Sequence, residues 1–475
     1  MEIKNYKNIV NGVWKESSDV LKVYSPINGE QIATTPAMSR EDIDEVMLGA
    51  KNAQPTWNAV PLREKKAILY KTADLLEARA SEIAEVMMWE VAKSANDSRT
   101  EVLRTAELIR YTADIGVEQS GEILYGGSFA AGSENKRAYV ERVPMGVVLA
   151  IAPFNYPVNL TASKIAPALI AGNSVVVKGA SQGTMSALEL IKAFIDAGVP
   201  AGVLNSVSGR GSIIGDYIVE HPAVNFINFT GSTGIGEHIG KLAGMKPLLF
   251  ELGGKDAALV LADSDLANAA TEIVAGGYSY SGQRCTAIKR VLVDETVADE
   301  LAELIKIEVE KLSVGMPADN PVITPTINQP TVDNAKKLYD DAIAKGATGL
   351  VPFKNEGNLM YPTLVDHVTV AMELAWEEPF APIMPIIRVK TVEEMIKIAN
   401  DSEYGLQSSV FSANQRLAEE IAQKLEVGTV HINTRTQRGP DNFPFLGIKG
   451  SGVGVQGIKY SIESMTRIRS TVVTV

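Results

Sequence analysis

Between residues 147 and 252, short β-branched runs alternate with runs of helical spacing. We predict five strands in this region, at Val147–Ile151, Ser174–Val177, Val203–Val207, Val224–Phe229 and Leu248–Leu252. Four helices are predicted between them, at Lys164–Ile170, Met185–Asp196, Ile213–Glu220 and Ile235–Ala243. Strands that are joined by helical crossovers form mostly parallel sheets with helices on both faces. The alternation therefore predicts a doubly wound α/β domain, an architecture that commonly binds nucleotides.

The same alternation resumes after residue 254 and predicts a second α/β domain. Its predicted elements are the strand Ala257–Leu261, the helix Leu266–Gly276, the strand Val291–Val293 and the helix Val297–Leu312. Upstream, apolar residues recur at helical spacing from Ile68 to Met87 and from Ser98 to Tyr111, which predicts helices there. The segments 121–135 and 468–475 fit neither domain, so we expect extended arms in both places.

These patterns divide the chain into three units. We assign residues 1–118 and 138–252 to a nucleotide-binding domain, 253–437 to a second domain, and 119–137 with 452–475 to an arm. The expected fold class is α/β, with two doubly wound, Rossmann-like domains and an extended β arm. A length of 475 residues agrees with this division, since a domain takes roughly 150 residues.

The composition excludes several classes of protein. Lysine and arginine number 45 against 57 aspartates and glutamates, and this net charge of −12 argues against nucleic acid as the main partner. A single cysteine, Cys285, excludes an intramolecular disulfide and a thiolate-rich metal site, and it is typical of a cytoplasmic protein. The four histidines lie far apart, so we expect no metal centre. The first residues lack a secretory signal, and the longest uncharged stretch, 143–163, is broken by prolines, which argues against a membrane span.

Two glycine-rich motifs compete as nucleotide-binding turns. Residues 452–457 match the G-x-G-x-x-G spacing, but no predicted strand precedes them, and we interpret them as a flexible loop. Gly231, Ser232 and Gly236 instead follow the strand Val224–Phe229 and open a predicted helix. Glycines at such a junction let backbone amides at a helix N-terminus approach a phosphate. We therefore prefer residues 229–236, although a tight turn without a ligand would show the same pattern.

Three residues that can carry chemistry follow predicted strands or begin helices. Cys285 is either a buried core residue or a nucleophile, and the neighbouring Arg284 favours the thiolate that a nucleophile needs. Glu251 ends a strand before two glycines, where it is a candidate base or a partner of Lys255. Asn155 follows the strand Val147–Ile151 and is a candidate amide donor or a turn residue. A nucleophile, a base, an amide donor and a phosphate-binding turn together favour catalysis.

Five motifs identify the family that the chain resembles. They are Phe-Asn-Tyr-Pro at 154–157, Phe-Thr-Gly-Ser-Thr-Gly-x-Gly at 229–236, Glu-Leu-Gly-Gly-Lys at 251–255, Gly-Gln-Arg-Cys at 282–285 and Glu-Glu-Pro-Phe at 377–380. In this order they resemble the aldehyde dehydrogenase superfamily over essentially the whole chain. The stretches 101–106, 152–159, 280–287 and 436–445 are most similar to its non-phosphorylating, NADP-dependent branch, which acts on glyceraldehyde 3-phosphate.

The resemblance implies a reaction through a covalent thioester. Cys285 would attack the aldehyde to give a thiohemiacetal, whose oxyanion would accept hydrogen bonds from the Asn155 side chain and the Cys285 amide. Hydride would pass to the nicotinamide, and Glu251 would activate the water that hydrolyses the thioester. The expected product is 3-phosphoglycerate, formed irreversibly from D-glyceraldehyde 3-phosphate with NADP and water and without inorganic phosphate.

The resemblance also implies where the cofactor binds. The residues that it places there are Ala152, Phe154, Lys178, Ser181, Arg210, Asp216, Gly231, Ser232, Gly236, Leu252, Glu378 and Phe380. Related enzymes that prefer NAD often carry a glutamate three positions after the lysine, whereas this chain has Ser181. A neutral residue near Lys178 accommodates the 2′-phosphate of NADP because it does not repel the phosphate. We therefore expect NADP. Gly179 and Ala381 replace the usual Pro and Gly of their motifs.

The substrate residues that the resemblance implies are Arg104, Asn155, Tyr156, Arg284, Cys285, Thr286 and Arg438. Arginine suits a phosphate because its planar guanidinium donates two parallel hydrogen bonds. Another anionic aldehyde, such as succinate semialdehyde, is the alternative substrate, and a non-catalytic binding protein with this fold is a further alternative. The family also implies a homotetramer held together by the arm.

Overall fold

The computed structural model describes residues 3–116, 121–129 and 131–475. The α-helices span Arg40–Ala59, Leu62–Ala78, Ala80–Val91, Ala95–Ile115, Asn159–Ile170, Thr184–Ala197, Asp216–Glu220, Thr233–Leu242, Leu266–Tyr278, Ala298–Glu310, Gln329–Ala344, Val392–Asn400, Gln415–Ala422 and Ile458–Ser464. Short 3₁₀ turns lie at Gly126–Ser128, Ser279–Gly282, Pro317–Asp319 and Glu373–Ala375, and a π turn lies at Gly211–Gly215. None of the helices in the described ranges is long and apolar enough to cross a membrane.

The first sheet contains the five strands that the sequence predicts between residues 147 and 252. Across the sheet the strands are Leu204–Val207, Ser174–Lys178, Val147–Ile151, Val224–Thr230, Leu248–Glu251 and Gly452–Val453. The first five are parallel, as expected. Because parallel strands end at the same edge, this sheet brings residues 152, 178, 231 and 252 to one side of the molecule.

The second sheet confirms the prediction of a further doubly wound unit. In order across the sheet, its strands are Thr348–Val351, Thr363–Asp366, Ile383–Val389, Arg290–Asp294, Ala257–Val260, Gln407–Phe411 and Thr429–Ile432. All pairs are parallel except the edge pair of Thr348–Val351 with Thr363–Asp366. The expected fold class of two α/β units with a β arm is therefore confirmed.

A third sheet, the arm sheet, is antiparallel and three-stranded. It consists of Glu122–Tyr125, Lys136–Pro144 and Thr466–Thr474. The last two strands pair along nine residues, from Thr466 opposite Pro144 to Thr474 opposite Lys136. The boundary that we placed at 137/138 falls inside the strand Lys136–Pro144, which belongs with the arm. The smaller sheets pair Lys4–Asn5 and Val20–Tyr24 with Gln31–Pro36, Asn8–Val10 with Val13–Lys15, Asn355–Glu356 with Leu359–Met360, and Tyr404–Gly405 with Ile448–Lys449.

Two local predictions are corrected by the structure. Residues 452–457 are not simply a flexible loop, because Gly452 and Val453 form an antiparallel edge strand opposite Glu251 and Phe250. Gly452 has a φ of 159°, and a Cβ there would lie 2.4 Å from the Phe250 carbonyl oxygen, so the close pairing requires glycine. The predicted helix Ile213–Glu220 begins as a π turn and becomes α-helical only at Asp216.

Both faces of each large sheet are buried, which explains why their strands read as continuous apolar runs. In the strand Val147–Ile151, Val148 and Ala150 join one core cluster and Val147 and Leu149 join another on the opposite face. The strand Ala257–Val260 divides its residues in the same alternating way. This arrangement leaves the ends of the strands, rather than their faces, as the place for a ligand.

A buried carboxylate fixes the start of the helix Thr184–Ala197. The Glu90 side chain accepts hydrogen bonds from the backbone amides of Met185 and Ser186, at 2.7 and 2.9 Å, and from the Ser186 hydroxyl at 2.7 Å. Burial raises the pKa of Glu90, which these hydrogen bonds oppose. Gly183, the residue before this helix, has no side chain that could cap it. Glu90 therefore provides the cap.

We expect Glu90→Ala to lower the free energy of unfolding by about 3 kcal/mol, because it leaves buried amide donors without an acceptor. Urea denaturation followed by circular dichroism measures the change. Glu85→Ala is the matched control, because Glu85 is exposed on Ala80–Val91, the helix that also carries Glu90. It should change the free energy of unfolding by less than about 0.5 kcal/mol. Equal losses in the two variants would contradict the capping role.

Candidate active site

The ends of the first sheet open on a cleft of about 700 Å³. Of the sequence-predicted residues, those that line it are Ala152, Phe154, Asn155, Lys178, Gly231, Ser232, Leu252, Cys285, Glu378 and Phe380. Residues from both large sheets and their connecting loops thus meet around one cavity. Gly236 lies directly behind the lining, since a Cβ there would lie 2.5 Å from Leu252 Cδ2.

Three residues that the sequence assigned to the cofactor are not part of this lining. Arg210 donates to Asp19 at 2.7 Å, and Asp216 contacts His238 at 2.9 Å, both at exposed positions. Ser181 is exposed, and it is Gly179 and Ala180 that line the cleft beside Lys178. The sequence missed the start of the helix Gln329–Ala344, which contributes Thr331 and Asn334 to the opposite wall. No motif marked this helix, because only tertiary packing brings it to the cleft.

The loop before the nucleophile has an unusual backbone. Tyr280, Ser281 and Gly282 have φ values of 52°, 55° and 69°. Such values are uncommon for residues other than glycine and need surrounding contacts to maintain them. The Ser281 hydroxyl donates to the Thr324 carbonyl at 2.7 Å and accepts from the Thr324 amide at 2.9 Å. These bonds fix the loop that leads to Cys285, which is partly exposed.

The electrostatic surroundings of Cys285 differ from the sequence-based interpretation. Burial raises the pKa of the Cys285 thiol to about 12, and the charges of Lys289 and Arg438 oppose this increase. The adjacent Arg284 directs its guanidinium away, to the carbonyl oxygen of Gly276. The cations that favour the thiolate are therefore Lys289 and Arg438 rather than Arg284.

A buried network of hydrogen bonds holds the Glu251 carboxylate. Its carboxylate accepts from Arg438 Nη1 at 2.9 and 3.0 Å and from the Thr230 hydroxyl at 3.0 Å. Thr230 in turn accepts from Lys164 Nζ at 2.7 Å. Burial lowers the pKa of Lys164 to about 8. Lys255, the alternative partner for Glu251, donates instead to the Glu377 carbonyl at 2.7 Å.

A second cavity lies next to the cleft. This arginine pocket measures about 210 Å³, and its lining consists of Lys93, Asp97, Thr100, Glu101, Arg104, Tyr156, Asn159, Ser279, Tyr280 and Arg284. Consecutive residues divide between the two cavities: Asn155 and Cys285 line the cleft, and Tyr156 and Arg284 line the pocket. The two cavities therefore adjoin at Arg284 and Cys285.

The predicted substrate residues are only partly brought together. Arg104, Tyr156 and Arg284 line the arginine pocket, and Nε of the buried Arg284 makes no hydrogen bond within the described part of the chain. Arg438 is not in this lining, because its guanidinium binds Glu251 and the Gln456 side-chain oxygen. Thr286 is buried, and its carbonyl accepts from the Thr436 hydroxyl at 2.8 Å.

A buried ion pair that sequence analysis did not predict holds Asn155 in place. Lys93 Nζ lies 2.5 Å from Glu101 Oε2, donates to the Asn155 carbonyl at 3.0 Å and lies 3.5 Å from the Tyr156 ring centroid. Glu101 Oε1 accepts from the amides of Val158 and Asn159, both at 2.9 Å. Both ends of the loop 155–159 are therefore fixed by this pair.

Comparison with known proteins shows the family of this chain. The family model for the aldehyde dehydrogenase family matches residues 14–471. The chain belongs to the aldehyde dehydrogenase family. NADP-dependent glyceraldehyde-3-phosphate dehydrogenase of Streptococcus equinus is 57% identical over 469 residues, which cover 99% of this chain and 98% of that protein. The enzyme of that name from Pisum sativum is 47% identical, with 98% and 95% covered.

A solved structure is also similar to this aldehyde dehydrogenase. It is that of NADP-dependent glyceraldehyde-3-phosphate dehydrogenase from Bacillus halodurans C-125 complexed with NADP. The TM-score is 0.98 at 52% identity, and 99% of each chain is covered. The family resemblance that the sequence motifs indicated is thereby confirmed.

We expect Lys93→Met in this aldehyde dehydrogenase to lower the free energy of unfolding by about 3 to 5 kcal/mol, because Glu101 would remain buried without a counter-charge. The double variant Lys93→Met/Glu101→Gln should recover part of the loss, since a glutamine oxygen still accepts from the two amides. Denaturant unfolding of both variants measures the difference. A double variant less stable than Lys93→Met would contradict this account.

Proposed function

We propose that this aldehyde dehydrogenase oxidises D-glyceraldehyde 3-phosphate irreversibly to 3-phosphoglycerate, with NADP and water and without inorganic phosphate. The observation that carries the proposal is the arginine pocket, which adjoins the thiol-bearing cleft at Cys285 and Arg284. The pocket offers arginine donors to the phosphate of the substrate. The cleft offers a thiol to the aldehyde at the other end of the same three-carbon molecule. The named relatives also favour this substrate over succinate semialdehyde.

In the proposed reaction the Cys285 sulfur, after losing its proton, bonds to the aldehyde carbon. The resulting alkoxide accepts a hydrogen bond from Asn155 Nδ2, which has a second N–H besides the one on the Gln283 carbonyl. NADP, when bound in the cleft, would supply the acceptor for the hydride. As the C–H bond breaks, the carbonyl re-forms and a thioester remains on Cys285. Removing Asn155 would leave the alkoxide without its side-chain donor.

Glu251 is the proposed base for hydrolysis. Oε2 accepts from both Arg438 and Thr230, whereas among the described residues Oε1 accepts only from Arg438 and keeps a lone pair for a water. The water loses a proton to this carboxylate as it attacks the thioester carbon. The C–S bond then breaks, the free acid leaves, and the thiolate is restored.

The residues around the cleft fit a dinucleotide. The strand Val224–Thr230 leads through Gly231 and Ser232 into the helix Thr233–Leu242. The N-terminus of a helix attracts an anion such as a phosphate. Gly253 leaves space that a side chain would fill, since its Cβ would lie 2.4 Å from Glu378 Oε2. We propose that the strand ends and this turn hold the adenosine and pyrophosphate, and that Glu378 and Phe380 hold the nicotinamide half. Lys178 would neutralise the 2′-phosphate.

Assembly and location form part of the same proposal. The arm sheet leaves Ile123 and Tyr139 exposed on one face and Ile468 and Val472 exposed on the other, and an oligomer would bury such apolar side chains. We propose a homotetramer joined through the arm, in the cytoplasm, with the division into nucleotide-binding, catalytic and arm units given above. The strand Lys136–Pro144 is reassigned to the arm.

We expect sustained NADPH formation from glyceraldehyde 3-phosphate and NADP in phosphate-free buffer, with a smaller kcat/KM for NAD and for succinate semialdehyde. Cys285→Ser should lower the rate by at least about a thousandfold, because the nucleophile is lost. Absorbance of the reduced nicotinamide, NADPH or NADH, measures all four rates. A higher kcat/KM for succinate semialdehyde would sink the substrate assignment, and full activity in Cys285→Ser would sink the thioester mechanism.

We expect Arg284→Gln to raise the KM for glyceraldehyde 3-phosphate at least about tenfold, equivalent to about 1.4 kcal/mol, and to leave the KM for NADP unchanged. Steady-state kinetics with each substrate varied separately measures the two constants. Arg99→Gln, at an exposed position on the helix Ala95–Ile115, is the matched control and should change neither. Unchanged substrate affinity in Arg284→Gln would contradict phosphate binding in the arginine pocket.

A further inference from the structure

Lys289 joins the nucleophile to the proposed cofactor carboxylate. Its buried Nζ donates to the main-chain carbonyl of Cys285 at 2.5 Å and lies 3.1 Å from Glu378 Oε1. The same Glu378 oxygen accepts from the Gly254 amide at 3.2 Å. Lys289 therefore links the main chain at Cys285 to the Glu378 carboxylate. The proposed mechanism gives this lysine no role.

The charges that face Cys285 come from several elements. Glu251 and Asp256 disfavour the thiolate, and Lys289 and Arg438 favour it, with Lys289 the larger of the two favourable influences. Arg438 is already neutralised by the two short contacts to Glu251. Lys289 is shared with Glu378, whose other hydrogen bond is to the uncharged Gly254 amide. Of the two cations, Lys289 therefore has the larger favourable influence on the thiolate, and it also contacts the main chain at Cys285.

We infer that Lys289 is a positioning residue that holds Cys285 and Glu378 in one arrangement and supplies the counter-charge of the Cys285 thiolate. This inference rests on the proposed function, in which Cys285 is the nucleophile and Glu378 contacts the cofactor. Lys289 itself touches the Cys285 carbonyl rather than the reacting sulfur. It acts through charge and through the fixed position of the main chain.

A neighbouring lysine provides the comparison. Lys255 is also buried, but its Nζ donates to the Glu377 carbonyl, whereas the cations that act most strongly on the thiol are Lys289 and Arg438. A purely structural effect of losing a buried lysine should appear at both positions. An effect on the sulfur should appear only at Lys289.

The test is the rate of iodoacetamide alkylation as a function of pH, in the full-length protein without aldehyde or NADP. Cys285 is the sole cysteine, so the rate reports on one thiol. We expect Lys289→Met to lower the alkylation rate at pH 7.5 about tenfold or more, through an upward shift of the profile by about one pH unit. Lys289→Arg should restore most of the rate, and Lys255→Met should leave the profile unchanged.

A fourth variant tests the same charge in the opposite direction. Glu378→Gln keeps an acceptor for the Gly254 amide and removes the negative charge beside Lys289, so we expect faster alkylation than in the natural chain. Circular dichroism checks that each variant folds. Coincident profiles for Lys289→Met and the natural chain, or an equal shift in Lys255→Met, would overturn the inference. Alkylation needs no turnover, so absence of activity toward glyceraldehyde 3-phosphate would contradict the proposed function and leave the role of Lys289 standing.

Discussion

The geometry of the site depends on one buried ion pair, between Lys93 and Glu101. Lys93 binds the carbonyl of Asn155, and Glu101 binds the amides that open the helix Asn159–Ile170. A buried pair is costly to desolvate and is retained where its geometry has a use. Here it fixes a five-residue loop in which Asn155 lines the cleft and Tyr156 and Asn159 line the arginine pocket. The division between thiol cleft and arginine pocket follows from that loop.

Each chemical group of the site has a cation of its own. Glu251 is held by Arg438, and Cys285 has Lys289 nearest to its main chain. Low-dielectric surroundings strengthen both interactions and would make either anion unfavourable alone. Because a cation lies beside each group, a thiol and a carboxylate can lie in one site and take different parts in proton transfer. No metal is among the predicted components.

Sequence patterns predicted the sheets because each strand is short, apolar and buried on both faces, and the helices between them have clear spacing. The residues at strand ends, such as Asn155 and Glu251, were found because parallel topology brings those ends together. Lys93 and Lys289 were missed since no local pattern marks a buried lysine. Arg438 was assigned to the substrate, but its partner Glu251 is 187 positions away in sequence, and only the folded chain reveals that contact. Gly452 was misread for the same reason.

The strand Gly452–Val453 has a consequence for biosynthesis. It closes the edge of the first sheet beside Glu251, and Gln456, four residues beyond Gly452, binds the arginine that holds this carboxylate. The strands Leu248–Glu251 and Gly452–Val453 pair in one sheet, but about two hundred residues are translated between them. A nascent chain on the ribosome would expose its reactive thiol, at position 285, well before the segment that completes the hydrolytic side of the site emerges. The Glu251–Arg438–Gln456 network can therefore form only after nearly the whole chain has been translated.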